Sequence, residues 1–237
     1  MTAPTGDEPG GELRVLGLGG IPEVTEGDDL GHLIAAAAPD GGILSGDVVV
    51  VAHKAVSKAE GRLVEGAERS AAIEAESTRI LRRAGEVVIS ETRHGFVCAN
   101  AGVDASNVAP GWICLLPVDP DLSARRLRAR LRHFTGADVA VVISDTFGRT
   151  WRKGQTNVAI GVAGIDPFLD YRGRRDSFGN ELSATIICVA DELAGAAELV
   201  MGKATGRAAA LIRGAGVVRG PGSAAAIVRS PDEDLFR

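Results

Sequence analysis

The residues best suited to chemistry follow the apolar run Val139 to Ile143, in the segment Ser144-Asp145-Thr146-Phe147-Gly148-Arg149-Thr150-Trp151-Arg152-Lys153-Gly154-Gln155-Thr156-Asn157. Asp145 and Thr146 offer hard oxygen donors where a buried strand would end, a set suited to Mg²⁺ or Mn²⁺. Gly148 and Gly154 let the backbone approach a ligand closely. Arg149, Arg152 and Lys153 supply positive charge for a polyphosphate or a developing oxyanion. An ordinary polar loop after a strand is the competing reading of the Asp-Thr pair alone. The density of useful groups on one loop favours a metal-assisted nucleotide or phosphate site.

A second carboxylate, Asp104, lies in Asn100-Ala101-Gly102-Val103-Asp104-Ala105-Ser106-Asn107-Val108. Asn, Asp, Gly and Ser are also the turn residues, so a plain turn would read the same way. If the fold brings Asp104 to Asp145, the pair can hold one or two divalent ions that neutralise a transferring phosphoryl group. Lys58, beyond the exit of a Val48–Val51 strand, can meet a phosphate as a point charge; a solvated lysine is the alternative. Glu23 and Arg93-His94 are weaker candidates, and His53 caps a strand or lines a pocket.

Standard nucleotide motifs fail. Gly17-Leu18-Gly19-Gly20-Ile21-Pro22 begins like a dinucleotide fingerprint, but Pro22 stands where the third glycine belongs and the helical pattern starts only near Asp28. Gly202-Lys203-Ala204-Thr205 lacks the upstream glycine and the Ser/Thr directly after Lys that a Walker loop needs. Any nucleotide must be held by a different set of loops.

The elements that position these groups follow from patterning. Leu13 to Leu18 reads as a strand, and Asp28 or Asp29 caps a helix carrying Leu30, Leu33 and Ile34. Val48 to Val51 reads as a strand buried on both faces. A polar helix is expected over Ala67 to Arg83, then strands at Val87 to Ser90, Phe96 to Ala99 and Ile113 to Leu116. Asp119 to Asp121 starts a basic amphipathic helix through Phe134, with Leu122, Leu127, Leu131 and Phe134 as core contacts. Strands follow at Val139 to Ile143, Val158 to Val162, Leu182 to Val189 and Ala208 to Ile212, with a helix from Asp191 to Met201 stopped by Gly202. Without strict βαβ alternation, this is an α+β pattern with mixed sheets, flanking helices and two lobes.

The chain has 237 residues, 45% of them apolar, enough for one large or two small cores. A net charge of −5 argues against a nucleic-acid partner and demands that any phosphate work be local. Three cysteines, Cys98, Cys114 and Cys188, show no metal-type spacing. Cys98 and Cys188, within apolar runs, read as buried thiols of a reducing compartment. The first residues form no signal peptide, and no run reaches the roughly 20 apolar residues of a membrane span. The expectation is a soluble cytoplasmic protein with a flexible tail over residues 1–12 and one domain over 13–237.

The chain also resembles a known family, the coenzyme F420-0:L-glutamate ligases. The resemblance rests on Ile21-Pro22-Glu23-Val24, Gly27-Asp28-Asp29-Leu30, Val56-Ser57-Lys58-Ala59-Glu60-Gly61-Arg62, Ala101 to Val108, Ser144-Asp145-Thr146, Gly148-Arg149, Trp151-Arg152 and Gly154-Gln155-Thr156. It continues through Asp176, Gly179 to Leu182, Ala190-Asp191-Glu192 and Ala196 to Val200. It implies a GTP- and divalent-metal-dependent enzyme that adds L-glutamate to coenzyme F420-0 and extends a γ-linked tail. It also implies an unusual α+β fold, an intertwined homodimer and stimulation by K⁺. By the resemblance, Asp104 and Asp145 fall on metal ligands and Thr146 beside a second metal. Ile21, Pro22, Glu23, Val24, Lys58, Asn107 and the stretch from Met201 through Gly202 and Lys203 fall on guanine-nucleotide contacts. Two positions depart: His53 falls on a nucleotide-contact position where relatives often carry Ser or Gln, and Lys203 stands where some place an amide near the metal. The reading is acyl-phosphate ligase chemistry, with Lys58 and Arg149 or Arg152 steadying the phosphoryl group. A metal-dependent phosphohydrolase and a non-catalytic nucleotide-binding module are the alternatives.

Overall fold

A computed structural model of the chain describes residues 11–66 and 68–235. Residues 1–10 of the expected tail, and Ala67 at the start of an expected helix, lie outside the described residues. The strands are β1 (Arg14–Leu18), β2 (Val48–Ala52), β3 (Leu63–Glu65), β4 (Ser77–Ala84), β5 (Val87–Thr92), β6 (Val97–Ala99), β7 (Trp112–Cys114), β8 (Ala140–Arg149), β9 (Arg152–Ala163), β10 (Phe168–Asp170), β11 (Ile186–Cys188) and β12 (Ala209–Arg213). The helices are α1 (Leu30–Ala36), α2 (His53–Ala59), α3 (Arg69–Glu76), α4 (Pro120–Thr135) and α5 (Val189–Met201).

The principal sheet has the order β1-β12-β2-β8-β9. Only β2 and β8 pair in parallel; the other neighbours are antiparallel. Val48 to Val51 are fully buried, as expected of a β-branched run covered on both faces. Val49, Val51, Val141 and Ile143 pack with Leu30 and Ile34 of α1 and Leu127 and Leu131 of α4. Val48, Val50, Val142 and Ile212 pack on the opposite face with Leu193, Ala194 and Ala197 of α5. The alternation of side chains along a strand divides one valine run between two cores.

A second lobe is built from α3, the β3–β7 pair and the antiparallel sheet β4-β5-β6. Ile73, Val88, Val103, Ile113 and Leu115 form its small core. Arg62 ties the lobes, donating to the Leu116 carbonyl at 3.0 Å and to Glu76 at 3.0 Å. The architecture is α+β with mixed and antiparallel sheets, as the sequence pattern implies.

Several local expectations are corrected. The polar helix ends at Glu76, and Ser77–Ala84 is instead a strand with an almost wholly exposed face on both sides. Its pairing with β5 through the turn at Gly85 (φ +61°) overrides the helix-forming Glu and Arg content. His53–Ala59, to which the sequence pattern assigned no element, is a short helix. The strand expected over Leu182 to Val189 shortens to Ile186–Cys188. Phe134 is no core residue: it is 39% exposed, with the Arg130 guanidinium over its ring at 4.8 Å. Cys114 is the completely buried thiol and Cys188 only half-buried; all three cysteines are free.

Candidate active site

The parallel register of β2 and β8 sets the site. Ala52 pairs with Ser144, so the chain leaves both strands at the same level, through His53 on one and Asp145 on the other. Crevices outside the carboxyl ends of parallel strands are the usual binding position in α/β sheets. The antiparallel neighbours reach the same edge: Leu18 pairs with Ala209, and the Ala52 N–H donates to the Ala208 carbonyl at 2.9 Å. The segments after Leu18 and before Ala209 therefore border the same opening. There is no loop at Asp145. Strand β8 continues to Arg149 and turns back into β9, so the segment is a β-hairpin. One extra residue of β9, Ile160, bulges opposite the Ile143–Ser144 step, which re-aims the strand just before Asp145.

Asp104 arrives from the second lobe. Its backbone exchanges two hydrogen bonds with Cys114, at 3.0 and 2.7 Å. The approach is unusual: Asn100, Ala101 and Gly102 have φ of 55°, 53° and 72°, three successive left-handed residues, and Asn107 repeats this at 55°. Such conformations cost energy and concentrate at functional sites. Asn100 repays part of it by accepting the Val88 N–H at 2.9 Å.

These elements enclose a cavity of about 1060 Å³. Ile21, Pro22, Glu23, Val24, His53, Lys58, Asp104, Asn107, Asp145, Thr146, Met201, Gly202 and Lys203 all border it. A smaller pocket of about 310 Å³ adjoins it, sharing Glu23, Val24 and Lys58 and lined further by Leu63 and Trp112. Arg149 and Arg152 are not in the cavity lining. They sit at the hairpin end, where Arg149 donates to the Lys153 and Gly154 carbonyls at 2.6 and 3.3 Å. Four residues of strand at about 3.3 Å each separate Arg149 from Asp145 by about 13 Å. The cations bordering the cavity are Lys54, Lys58, Lys203 and Arg207, facing Glu23, Asp104, Asp145 and Glu198.

The first turn of α2 meets both aspartates. Lys54 Nζ lies 2.6 Å from Asp104 Oδ2, and Ser106 donates its N–H to Asp104 Oδ1 at 2.7 Å and its hydroxyl to Oδ2 at 3.0 Å. Burial would raise the Asp104 carboxyl, but Lys54 and Ser106 outweigh it and hold it below the usual carboxylate range. His53 is 3% exposed, with Nε2 3.2 Å from Asp145 Oδ1 but off the hydrogen-bond direction. Its Nδ1 has no hydrogen-bond partner among the described residues. Asp145 Oδ1 also accepts the Thr146 N–H at 2.6 Å. Lys58, buried in the last turn of α2, pairs with Glu23 across the cavity wall. Behind Asp145, Thr146 donates to Asn157 Oδ1 at 2.6 Å and Asn157 Nδ2 donates to Glu198 at 3.0 Å. Lys203 Nζ reaches Thr146, Asn157 and Glu198.

Sequence reasoning passed over Lys54, Gln155, Asn157, Glu198 and Arg207. Asn157 and Gln155 lay within the chemical segment, and in a hairpin their pairing opposite Thr146 and Gly148 would have shown the connection. Lys54 and Glu198 carried no such signal, because only the packing of α2 and α5 against the sheet edge turns them inward.

A divalent cation is testable against these residues. Asp104 and Asp145 provide hard, acceptor-only oxygens on one cavity, partly open at 40% and 14% side-chain exposure. No group of three or more His, Cys, Asp or Glu side chains clusters among the described residues. One or two carboxylates, completed by waters and substrate phosphates, is the usual protein share of a Mg²⁺ site. Asp104 and Asp145, bordering the same cavity, offer that donor set.

No helix among the described residues is long and apolar enough to cross a membrane. Residues 19–77 and 66–214 match the family model described as F420-0:Gamma-glutamyl ligase. The chain is 44% identical to the coenzyme F420:L-glutamate ligase of Methanothermobacter thermautotrophicus, over 95% of this chain and 99% of that protein. It is 44% identical to the enzyme so named from Methanopyrus kandleri, over 96% and 100%. For the one from Archaeoglobus fulgidus the identity is 40%, over 95% and 96%. Likeness of this degree spans both lobes and every segment bordering the cavity, and the chain belongs to the F420-0:gamma-glutamyl ligase family, as an amide-forming ligase.

Proposed function

We propose that this protein joins L-glutamate to coenzyme F420-0 in a GTP- and divalent-metal-dependent reaction, and extends the product through γ-linked amides. The observation that carries the reading is the convergence of Asp104 and Asp145, from separate lobes, on one cavity edged by four cations. The volume lies at the upper end of the roughly 300–1,000 Å³ of small-molecule sites, room enough for a nucleotide.

In this scheme a carboxylate oxygen of the acceptor attacks the γ-phosphorus of GTP, GDP leaves, and an acyl phosphate forms. The amine of L-glutamate then attacks the acyl carbon, inorganic phosphate leaves, and the nitrogen gives up a proton as the amide forms. Asp104 and Asp145 would hold Mg²⁺ or Mn²⁺, which when bound neutralises charge on the phosphates. Lys58, freed from Glu23, places a point charge toward the phosphates from the cavity wall. Lys54, beside Asp104, adds a second. Ile21 to Val24 and Asn107 border the same space and suit the nucleotide, in line with the resemblance that assigns them to guanine. With Arg149 and Arg152 at the hairpin end, Lys54, Lys58 and Arg207 replace them as the positive charge nearest the reaction. A homodimer and K⁺ stimulation are carried to this chain by the family resemblance.

Mass spectrometry of F420-0 incubated with GTP, Mn²⁺ or Mg²⁺ and L-glutamate tests the proposal. The expected result is addition of glutamyl residues with matching GDP. Phosphate release without any glutamyl product would show a phosphohydrolase instead, and equal turnover with ATP would remove the guanine assignment.

A further inference from the structure

We infer that the ε-ammonium of Lys203 is a built-in cation that fills the oxygen cradle beside Asp145, so that this protein takes one divalent ion per chain where a neutral residue would admit two. The inference rests on the proposed metal-dependent reading and specifies its ion count.

The cradle is assembled from three elements. Thr146 Oγ1 comes from β8, Asn157 Oδ1 from β9 and Glu198 Oε1 from α5. Lys203 Nζ hydrogen-bonds Thr146 and Asn157, the latter at 3.4 Å, and lies 3.4 Å from Glu198 Oε1. The oxygens are turned toward that point by bonds among themselves. Asn157 spends its amide N–H on Glu198 Oε2 at 3.0 Å, which leaves its carbonyl oxygen facing Thr146 and Lys203. A hydroxyl, an amide oxygen and a carboxylate are the hard donors that divalent ions prefer. Here the charge they face is an ammonium, with three protons to give and no capacity to accept.

The backbone is shaped to deliver it. Gly202 ends α5 at φ 60°, ψ 161°, a region open essentially to glycine alone. That turn reverses the chain, so that Lys203 reaches back over the residues of β8 and β9. Its carbonyl accepts from Asn107 Nδ2 at 3.5 Å, which ties the arm to the Asp104 segment on the opposite wall. Because Thr146 directly follows Asp145, a positive charge at the cradle also repels a second divalent ion next to the first. Lys203 would thus meet the transferred phosphoryl group as a proton-donating cation instead of as a metal bridge.

The test counts ions. Equilibrium dialysis of Mn²⁺ against the full chain in the presence of GDP is expected to give one bound Mn²⁺ for the natural sequence and for Lys203→Arg, and two for Lys203→Gln. The Gln variant is neutral and bears an oxygen at similar reach, and the 58% exposure of the lysine side chain leaves folding little affected. Two ions in the natural protein, one in Lys203→Gln, or two in Lys203→Arg would each overturn the inference. Zero ions in the natural protein would instead refute metal binding at Asp104 and Asp145, a separate failure. If Lys203 were only a phosphate clamp, Lys203→Gln would weaken GDP without gaining an ion, and that outcome also overturns it.

Discussion

Gly102→Ala probes how the fold aims Asp104, and its cost can be worked from two separable contributions. Gly102 sits at φ +72°, where an L side chain costs roughly 1–2 kcal/mol. An added Cβ would also lie 2.7 to 2.9 Å from Cγ, Cδ1 and Cδ2 of Leu116. Leu116 is 2% exposed and has no free volume to retreat into, so overpacking adds about 1–3 kcal/mol. The total, about 2–5 kcal/mol, is a large share of the 5–15 kcal/mol that holds a typical domain together. The chain carries its own control. Gly85 has φ +61° but nothing within 4 Å of its Cβ position, so Gly85→Ala isolates the backbone contribution. Urea unfolding of both variants, compared at equal m-value, should place Gly102→Ala about 1–3 kcal/mol below Gly85→Ala. Because Asp104 is two residues downstream, Gly102→Ala should lose ligation as well, whereas Gly85→Ala should keep it. A Gly102→Ala protein within about 0.5 kcal/mol of the Gly85 variant would refute the packing argument and the claim that Leu116 holds this segment.

Asp145→Asn should leave metal-free thermal stability within about 1 kcal/mol, since the Thr146 N–H keeps its acceptor. It should sharply weaken Mn²⁺, because a neutral amide cannot balance the ion's charge; near-normal Mn²⁺ affinity by calorimetry would take Asp145 out of the metal site. Lys58→Ala should weaken GTP more than Mn²⁺, because its charge faces the cavity and not the aspartate pair; unchanged GTP affinity would make it a structural partner of Glu23. For pH, burial pushes the Cys98 thiol from 9.0 up to about 12, with Asp145 adding to the shift. The unfolded chain therefore loses this proton first, so stability is intact below pH 9 and declines above it. The contribution is about 1.4 kcal/mol between pH 8 and 10, and Cys98→Ala should lose correspondingly less over that interval in urea titrations.

Patterning alone determined much of this protein. The Val48–Val51 run read as a strand covered on both sides, and helix starts were legible at Asp28 or Asp29 and at Asp119 to Asp121, with Asp29 and Asp119 the observed caps, because those properties reside in side-chain branching and in oxygens one turn from orphan N–H groups. Asp145 and Thr146 stood out by the density of useful groups on one segment, whereas Asp104 read equally well as a turn residue and Lys58 as a solvated lysine. What one dimension could not show was pairing. The parallel Ala52–Ser144 register brings His53 to Asp145, and the Thr146–Asn157 pairing converts an apparent loop into a hairpin that carries Arg149 and Arg152 away from the cavity. Exposed Ser77–Ala84 became a strand only because β5 was there to pair with it. Lys54, Glu198 and Lys203 acquired their partners through helix packing at the sheet edge and the reversal at Gly202. Such contacts span tens of residues along the chain, and only the assembled sheet decides which of them meet.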